Sequence, residues 1–306
     1  MANRLEMTEF FAFGSLRNGA MGFWSPLYIG CPPISSFGSQ SVRMDPVCLA
    51  PLSQGSETID IPCVFRGGYD LFSHYTEVEI AMNTVVQQEF TEADFFRSLR
   101  NGLYTMTQVR YFAVQYAHYS RHFPRVLGAA ISAMPAQDTW WVPLADNLWD
   151  EAGRGVPGKS HEQLYKTFLL SIYPNVALDE RGVPKVVVSK GVSDAIHTFI
   201  DFFRSATPLE AMAAVGLGSE MFAGNVMGDI ANGFRHPRYN DPPLDLTFWD
   251  AHAHEHEPRH YQLCKDILVL FTGSNDLATM FEVGSLIARS EAAMYAQLHE
   301  EMLQEP

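Results

Sequence analysis

The sequence predicts an all-α fold, a helical bundle with an irregular N-terminal extension, and three observations lead there. From about residue 78 to the end, apolar residues recur at helical spacing with little interruption. Over the same stretch the alternating pattern of a half-buried strand is nearly absent. Residues 1–75, by contrast, are dense in Gly, Pro and Ser, as in SPLYIGCPPISSFGSQS, and sustain no period. They read as an irregular extension packed on the core, with one short strand at 59–65, and residues 76–306 as the helical domain.

The helices follow in order. The first two are expected at 79–89 and 92–102, with Thr91 capping the second because Glu92 follows it. A long run at 106–134 should kink at Pro124, whose ring removes a backbone donor and crowds the preceding turn. Helices at 137–151 and 160–171 come next, the latter started by Ser160. The stretch VPKVVV at 183–188 looks like a strand but lies between helices, so it reads as an extended connector. Helices at 193–205, 208–235, 246–270 and 280–303 complete the chain, with Thr207 and Pro208 opening the second of these. Long helices joined by short loops favour a bundle.

Composition narrows the function. A chain of 306 residues that is 47% hydrophobic can bury a large core. A net charge of -14 argues against nucleic acid or an anionic membrane as a partner, because both reward basic patches. No window holds 18 uncharged apolar residues, and the start, MANRLEMTEFFAFG, carries Glu6 and Glu9 where a signal peptide needs an apolar run. Cys31, Cys48, Cys63 and Cys264 form no CxxC pair, so neither a zinc ribbon nor a disulfide framework is expected and a cytoplasmic location is the simplest. No flavin or nicotinamide fingerprint occurs.

The chemistry is concentrated in FWDAHAHEHEPRH, where His252, His254, His256 and His260 crowd together with Glu255 and Glu257. Imidazole and carboxylate are common ligands for iron, manganese and zinc, and spacings of three or four residues share a helical face. A solvated polar face would show the same composition, so remote ligands must decide. Glu151 ends one helix in NLWDEAGRG and His161 begins the next in SHEQLYKTFL, so the two can meet across a glycine-rich loop. Glu220 sits in EAMAAVGLGSEMFAGNVMGDI, a helix apolar around nearly its whole circumference. A carboxylate buried there needs a metal or an arginine partner.

This arrangement resembles the heme-oxygenase-like diiron oxidase family. The likeness rests on NLWDEAGRG followed by SHEQLYKTFL, a buried-helix glutamate some 60 residues later, and FWDAH some 30 beyond that; FAVQYAHYSRHFPRVLGAAIS is similar to the family's first core helix. The resemblance covers roughly residues 80–300. It implies a seven-helix, heme-oxygenase-like bundle with two non-heme irons and O2 as co-substrate, and gives Glu151, His161, Glu220 and His252 the places of ligands. It further implies oxidation of a small nitrogen-containing metabolite, an amine or amino acid, foremost N-oxygenation through a peroxo-level species, with oxidative desaturation or carbon–carbon cleavage as other outcomes. Electrons would come from an external reductant or from the substrate, and relatives of this type are often homodimers. A metal-free relative on the same bundle, either a thiaminase-like hydrolase or a binding protein, is the alternative; the hydrolase would use Cys264 as its nucleophile.

The last ligand helix departs from the family pattern, which runs from histidine to a carboxylate four residues on and a histidine three beyond. Counting forward from His252 gives His256 and Arg259; counting back from His260 gives Glu257 and Ala253. On a regular helix His252, His256 and His260 drift by only about 40° each and could share a face. A one-residue π-bulge would instead restore the pattern with Glu257 and His260, and Pro258 favours a distortion there. Charge also favours Glu257, since a third carboxylate offsets more of the +4 of two iron(II) ions; His254 and Glu255 should then face outward. The run at 106–134 holds no Asp or Glu, although some nitrogen-oxygenating members carry an extra carboxylate there. It offers Gln115, His118 and His122 instead. Trp140, Trp141, Trp149, Tyr116 and Phe222 are candidate walls of a substrate pocket.

Overall fold

The computed structural model describes residues 71–306, so most of the predicted extension, its short strand and three of the four cysteines lie outside the described residues. Twelve α-helical segments follow, with no strand among the described residues. They are α1 (Tyr75–Val86), α2 (Asp94–Arg100), α3 (Met106–Ser120), α4 (Phe123–Ser132), α5 (Asp138–Glu151) and α6 (His161–Ile172). The second half holds α7 (Lys190–Phe202), α8 (Pro208–Val215), α9 (Met221–Phe234), α10 (Thr247–Ala251), α11 (Glu257–Leu268) and α12 (Ser274–Gln304). Two pairs are continuous rods: a π turn, Gly216–Glu220, joins α8 to α9, and another, His252–His256, joins α10 to α11.

Local chemistry accounts for most boundaries and corrects two of the expected ones. Ser160 caps α6 by accepting from the Gln163 amide, and Thr207 forms a reciprocal capping box with Glu210 at the start of α8. Thr91 caps nothing: α1 runs on through a π turn, Gln87–Thr91, and α2 starts at Asp94 after an Ala93 with no side-chain cap. The expected kink at Pro124 is a break, because α3 ends at Ser120 and Pro124 falls in the first turn of α4, where its missing donor costs nothing. The VPKVVV segment makes one bridge, Leu178 to Pro184. It is tied to α3 by Gln115, whose amide donates to the Val187 carbonyl at 3.0 Å and accepts from the Ser189 amide at 2.8 Å. Gln115 is therefore a structural clamp.

The core is aromatic, with Trp249, Tyr116, Tyr295, Phe95, Phe112 and Phe168 all buried. The long α12 lies against the Gly216–Glu220 turn, and the approach is close: a Cβ on Gly218 would fall 2.7 Å from the Ile287 Cβ. Only glycine permits that contact, and it fixes the depth at which Glu220, the last residue of the turn, enters the bundle. On the other side, a Cβ on Gly224 would lie 3.3 Å from both the Ala253 carbonyl and the Glu257 Cβ, so α9 and the His252–His256 turn also pack closely.

Candidate metal centre

Four segments deliver their side chains to one place. After α5 the chain reverses through Gly153, Gly155 and Gly158, all at positive φ, and a Cβ on Gly153 would sit 2.4 Å from the Lys159 carbonyl carbon. This reversal, in which Arg154 also takes a positive φ and Gly153 has no room for a side chain, sets Glu151 Oε1 2.8 Å from His161 Nδ1. His252, the first residue of its π turn, donates from Nδ1 to the Phe248 carbonyl at 2.6 Å, which turns its other nitrogen away from its own helix. The His161 ring lies 4.2 Å from that of His252, centroid to centroid. Glu151, His161 and His252, all buried, form one group whose ligand atoms lie within 4.8 Å of one another.

Glu220, Glu257 and His260 form the second such group, also fully buried. His260 Nδ1 lies 3.5 Å from Glu220 Oε2 and 3.8 Å from Glu257 Oε2. Its Nε2 faces Asp150 at 3.3 Å, and Asp150 is itself held by Arg154 at 2.6 Å and by Arg259. A carboxylate behind an imidazole fixes the ring and its tautomer in metal sites. Asn147 donates to Glu220 Oε1 at 2.7 Å. No arginine pairs with Glu220 among the described residues.

A π turn lies where the extra residue of the His252–His260 stretch falls. One extra residue between His252 and Glu257 is absorbed in His252–His256, so Glu257 and His260 enter the cluster together with His252. His256 is half-buried and forms a third, more open group with Asp150 and His260. His254 and Glu255 face outward as expected.

Several observations bear on whether these groups suit a cation. Two atoms bound at about 2.1 Å to one ion sit about 3.0 Å apart at a right angle and about 3.4 Å apart at a tetrahedral one, and the 2.8, 3.5 and 3.8 Å separations are of that kind. His161 Nε2, Glu220 Oε2 and Glu257 Oε2 are buried without a hydrogen-bond partner, and His161 Nδ1 and His260 Nδ1 make no aligned hydrogen bond to the carboxylates beside them. Each such atom costs about 1–3 kcal/mol if left alone, so their concentration here calls for a shared partner. Charge points the same way. Burial works against the charged form of His260, yet the Glu220 and Glu257 carboxylates push it up to about 11, the shift expected where two buried carboxylates attract positive charge. Burial, then Glu220, drives the Glu257 carboxyl well above the usual range. Burial, then His161, drives His252 well below its ordinary value, leaving it neutral as a ligand must be.

Beside both groups lies a cavity of about 30 Å³, lined by Tyr116, Tyr119, Phe123 and Phe248 as well as Glu151, His252, Glu257 and Glu291. Of the expected pocket aromatics only Tyr116 is there. Trp141 and Trp149 are 37% and 53% exposed, Trp140 packs on Phe271, and Phe222 is core packing against Phe90. His118 lines different cavities, with His122 and Arg125. Asp150, Asn147 and Glu291 were not singled out from the sequence. Glu291 was open to detection, being the one charge on the α12 face that carries Ile287, Ala288, Tyr295 and Leu298.

An all-helical bundle that converges buried carboxylates and imidazoles from four segments beside one small cavity has a site able to bind metal. The chain belongs to the iron-containing redox enzyme family, whose model matches residues 110–281. Three solved structures share the fold. A CADD-like protein of unknown function from Nostoc punctiforme aligns with a TM-score of 0.60 at 14% identity, over 74% of this chain and 97% of that one. A TenA homologue from Pseudomonas syringae pv. tomato gives 0.56 at 13%, over 78% and 98%. A domain of unknown function with a heme oxygenase-like fold from Shewanella denitrificans gives 0.56 at 15%, over 74% and 90%. These likenesses concern the fold, which is heme-oxygenase-like. No curated protein matches the chain. No described helix is long and apolar enough to cross a membrane.

Proposed function

We propose that the protein is a non-heme diiron oxidase or oxygenase that uses O2 to oxidise a small nitrogen-containing metabolite, foremost by N-oxygenation of an amine or amino acid. The observation that supports this most is the pairing of two adjacent buried ligand groups, Glu151, His161 and His252 beside Glu220, Glu257 and His260. When bound, two iron(II) ions supply O2 with a pair of electrons; an external reductant, or the substrate, restores them. The chain's own residues do the rest. Three carboxylates offset most of the metal charge. Phe248 and Asp150 hold the His252 and His260 rings from behind, so each presents a fixed nitrogen. Tyr116, Tyr119, Phe123 and Phe248 exclude water from the cavity where a substrate nitrogen would lie. Glu257 is preferred to His256 as a ligand because it is fully buried and one of its oxygens lacks a partner.

The hydrolase alternative is disfavoured by Cys264. Burial pushes its thiol well above the ordinary value, whereas a nucleophile needs the opposite shift. The test is anaerobic loading with iron(II), metal quantification, then exposure to ¹⁸O2 with a panel of small amines. Two equivalents of iron and label in a hydroxylamine or nitro product are expected, with C264A as active as wild type. A chain that takes up no iron, or whose turnover disappears in C264A alone, would sink the proposal. Iron-dependent O2 uptake that yields an alkene or a shortened carbon skeleton would keep the diiron centre and replace N-oxygenation with desaturation or cleavage.

A further inference from the structure

We infer that Glu291 receives the cationic nitrogen of the substrate, which makes the cavity selective for small ammonium compounds over neutral molecules of the same shape; this rests on the oxidase reading above. Glu291 stands on the core face of α12, 4% exposed, and its Oε2 has no hydrogen-bond partner among the described residues. It lines the same cavity as Glu151, His252 and Glu257 but belongs to neither of their groups. The Tyr119 hydroxyl is the neutral group nearest to hand for this carboxyl, and a carboxylate at that depth with one oxygen unpartnered is costly unless something cationic or protonated meets it.

Charge balance indicates what meets it. Glu151, Glu220 and Glu257 carry three negative charges against the four positive charges of two iron(II) ions, so the centre keeps about one positive charge. That charge repels an ammonium group unless a further carboxylate stands beside it. Glu291 is the remaining carboxylate on the cavity wall. The Tyr116, Tyr119, Phe123 and Phe248 rings line the same space, and aromatic faces attract cations. At about 30 Å³ the cavity has room for about two waters, so the amine-bearing end of the substrate is what enters.

The test uses iron(II)-loaded protein kept anaerobic, as wild type, E291Q and E291M. Each is titrated calorimetrically with propylammonium and with 1-propanol, its neutral isostere, and iron content and melting temperature are measured on the same samples. Wild type should prefer propylammonium by on the order of ten- to a hundredfold. Both variants should lose that preference while they keep two iron equivalents, their fold and their affinity for propanol. A preference that persists in E291Q and E291M, or that is missing from wild type, overturns the inference and leaves the diiron centre standing. Loss of iron in the variants also overturns it, by making Glu291 a ligand. Wild type without iron overturns the oxidase reading, and this inference with it.

Discussion

Replacing Glu257 with glutamine should have opposite effects in the metal-free and iron-loaded protein, a reversal that a purely structural residue would not show. The ligand atoms of Glu220, Glu257 and His260 lie within 4.8 Å of one another. Two carboxylate charges no farther apart than that repel by about 3.5 kcal/mol or more at an effective dielectric of about 20, which sets the scale of what the change can relieve. The metal-free chain avoids part of this by keeping Glu257 protonated, its carboxyl raised by burial and then by Glu220. A carboxyl raised in the folded state binds more protons there than in the unfolded state. Its penalty is absent below the unfolded value and grows as pH rises above it. Glutamine escapes that penalty. E257Q without metal should therefore match wild type near pH 4 and exceed it by about 1–3 kcal/mol at pH 8, about 2–10 °C in melting temperature. With iron(II) present the sign reverses: E257Q should hold one equivalent or fewer and lose most of the iron-induced rise in melting temperature. Calorimetric melts at both pH values, with and without iron, decide it. A metal-free E257Q that is less stable than wild type at pH 8, with iron stoichiometry intact, would refute both the electrostatic account and the ligand role.

Three other outcomes follow from the same geometry. Anaerobic metal loading near pH 7 should release protons, because His260 is pushed up to about 11 and Glu257 well above its usual range in the metal-free cluster; a pH-stat titration reading no proton release would contradict the assignment. Gly153→Ala should cost about 2 kcal/mol or more in chemical denaturation and weaken metal binding, since the residue sits at φ 66° with its new Cβ 2.4 Å from backbone; an unchanged midpoint would show the reversal to be more tolerant than its geometry indicates. Glu291 is raised to about 8, so metal-free E291Q should gain stability over wild type progressively between about pH 4.5 and 8, with a ceiling of about 5 kcal/mol. A pH-independent difference between the two would mean that the carboxylate finds a partner elsewhere.

Much of this was legible in the sequence, and the missing parts share a physical cause. Helical periodicity located α1 to α12, with the start of α1 read a few residues late, because burying one face of a helix leaves a record at every third and fourth residue. Caps such as Ser160 and Thr207 were readable because the capping interaction is local. Thr91 was misleading because a π turn carried the preceding helix through it, and a cap depends on where the helix before it stops. Cavity-lining aromatics could be picked out only in part: of the candidates Tyr116 lines the cavity whereas Trp149 is 53% exposed, a difference set by packing between helices distant in sequence. Asp150 was hidden for the same reason, since its partners are Arg154, four residues on, and Arg259 and His260, about 110 residues on.

The two π turns near the site explain why counting residues left His256 and Glu257 unresolved. A π turn inserts one residue into a helix and rotates everything after it by about 100°, at the cost of poorer hydrogen-bond geometry over one turn. In His252–His256 that rotation turns Glu257 inward and leaves His256 half-buried. In Gly216–Glu220 the turn ends on the buried glutamate itself, against an α12 that only Gly218 allows so close. Pro258, just beyond the first of these, cannot donate to the His254 carbonyl, so a regular helix there would already lack a bond, and the bulge is correspondingly cheaper. A Pro258→Ala change should test this, because it restores the donor and lowers the cost of regular geometry. Metal affinity should fall as His256 competes with Glu257 for the inward position, while melting temperature in the metal-free state stays level or rises. Unchanged affinity would mean that the bulge is held by the close packing at Gly224 rather than by the proline.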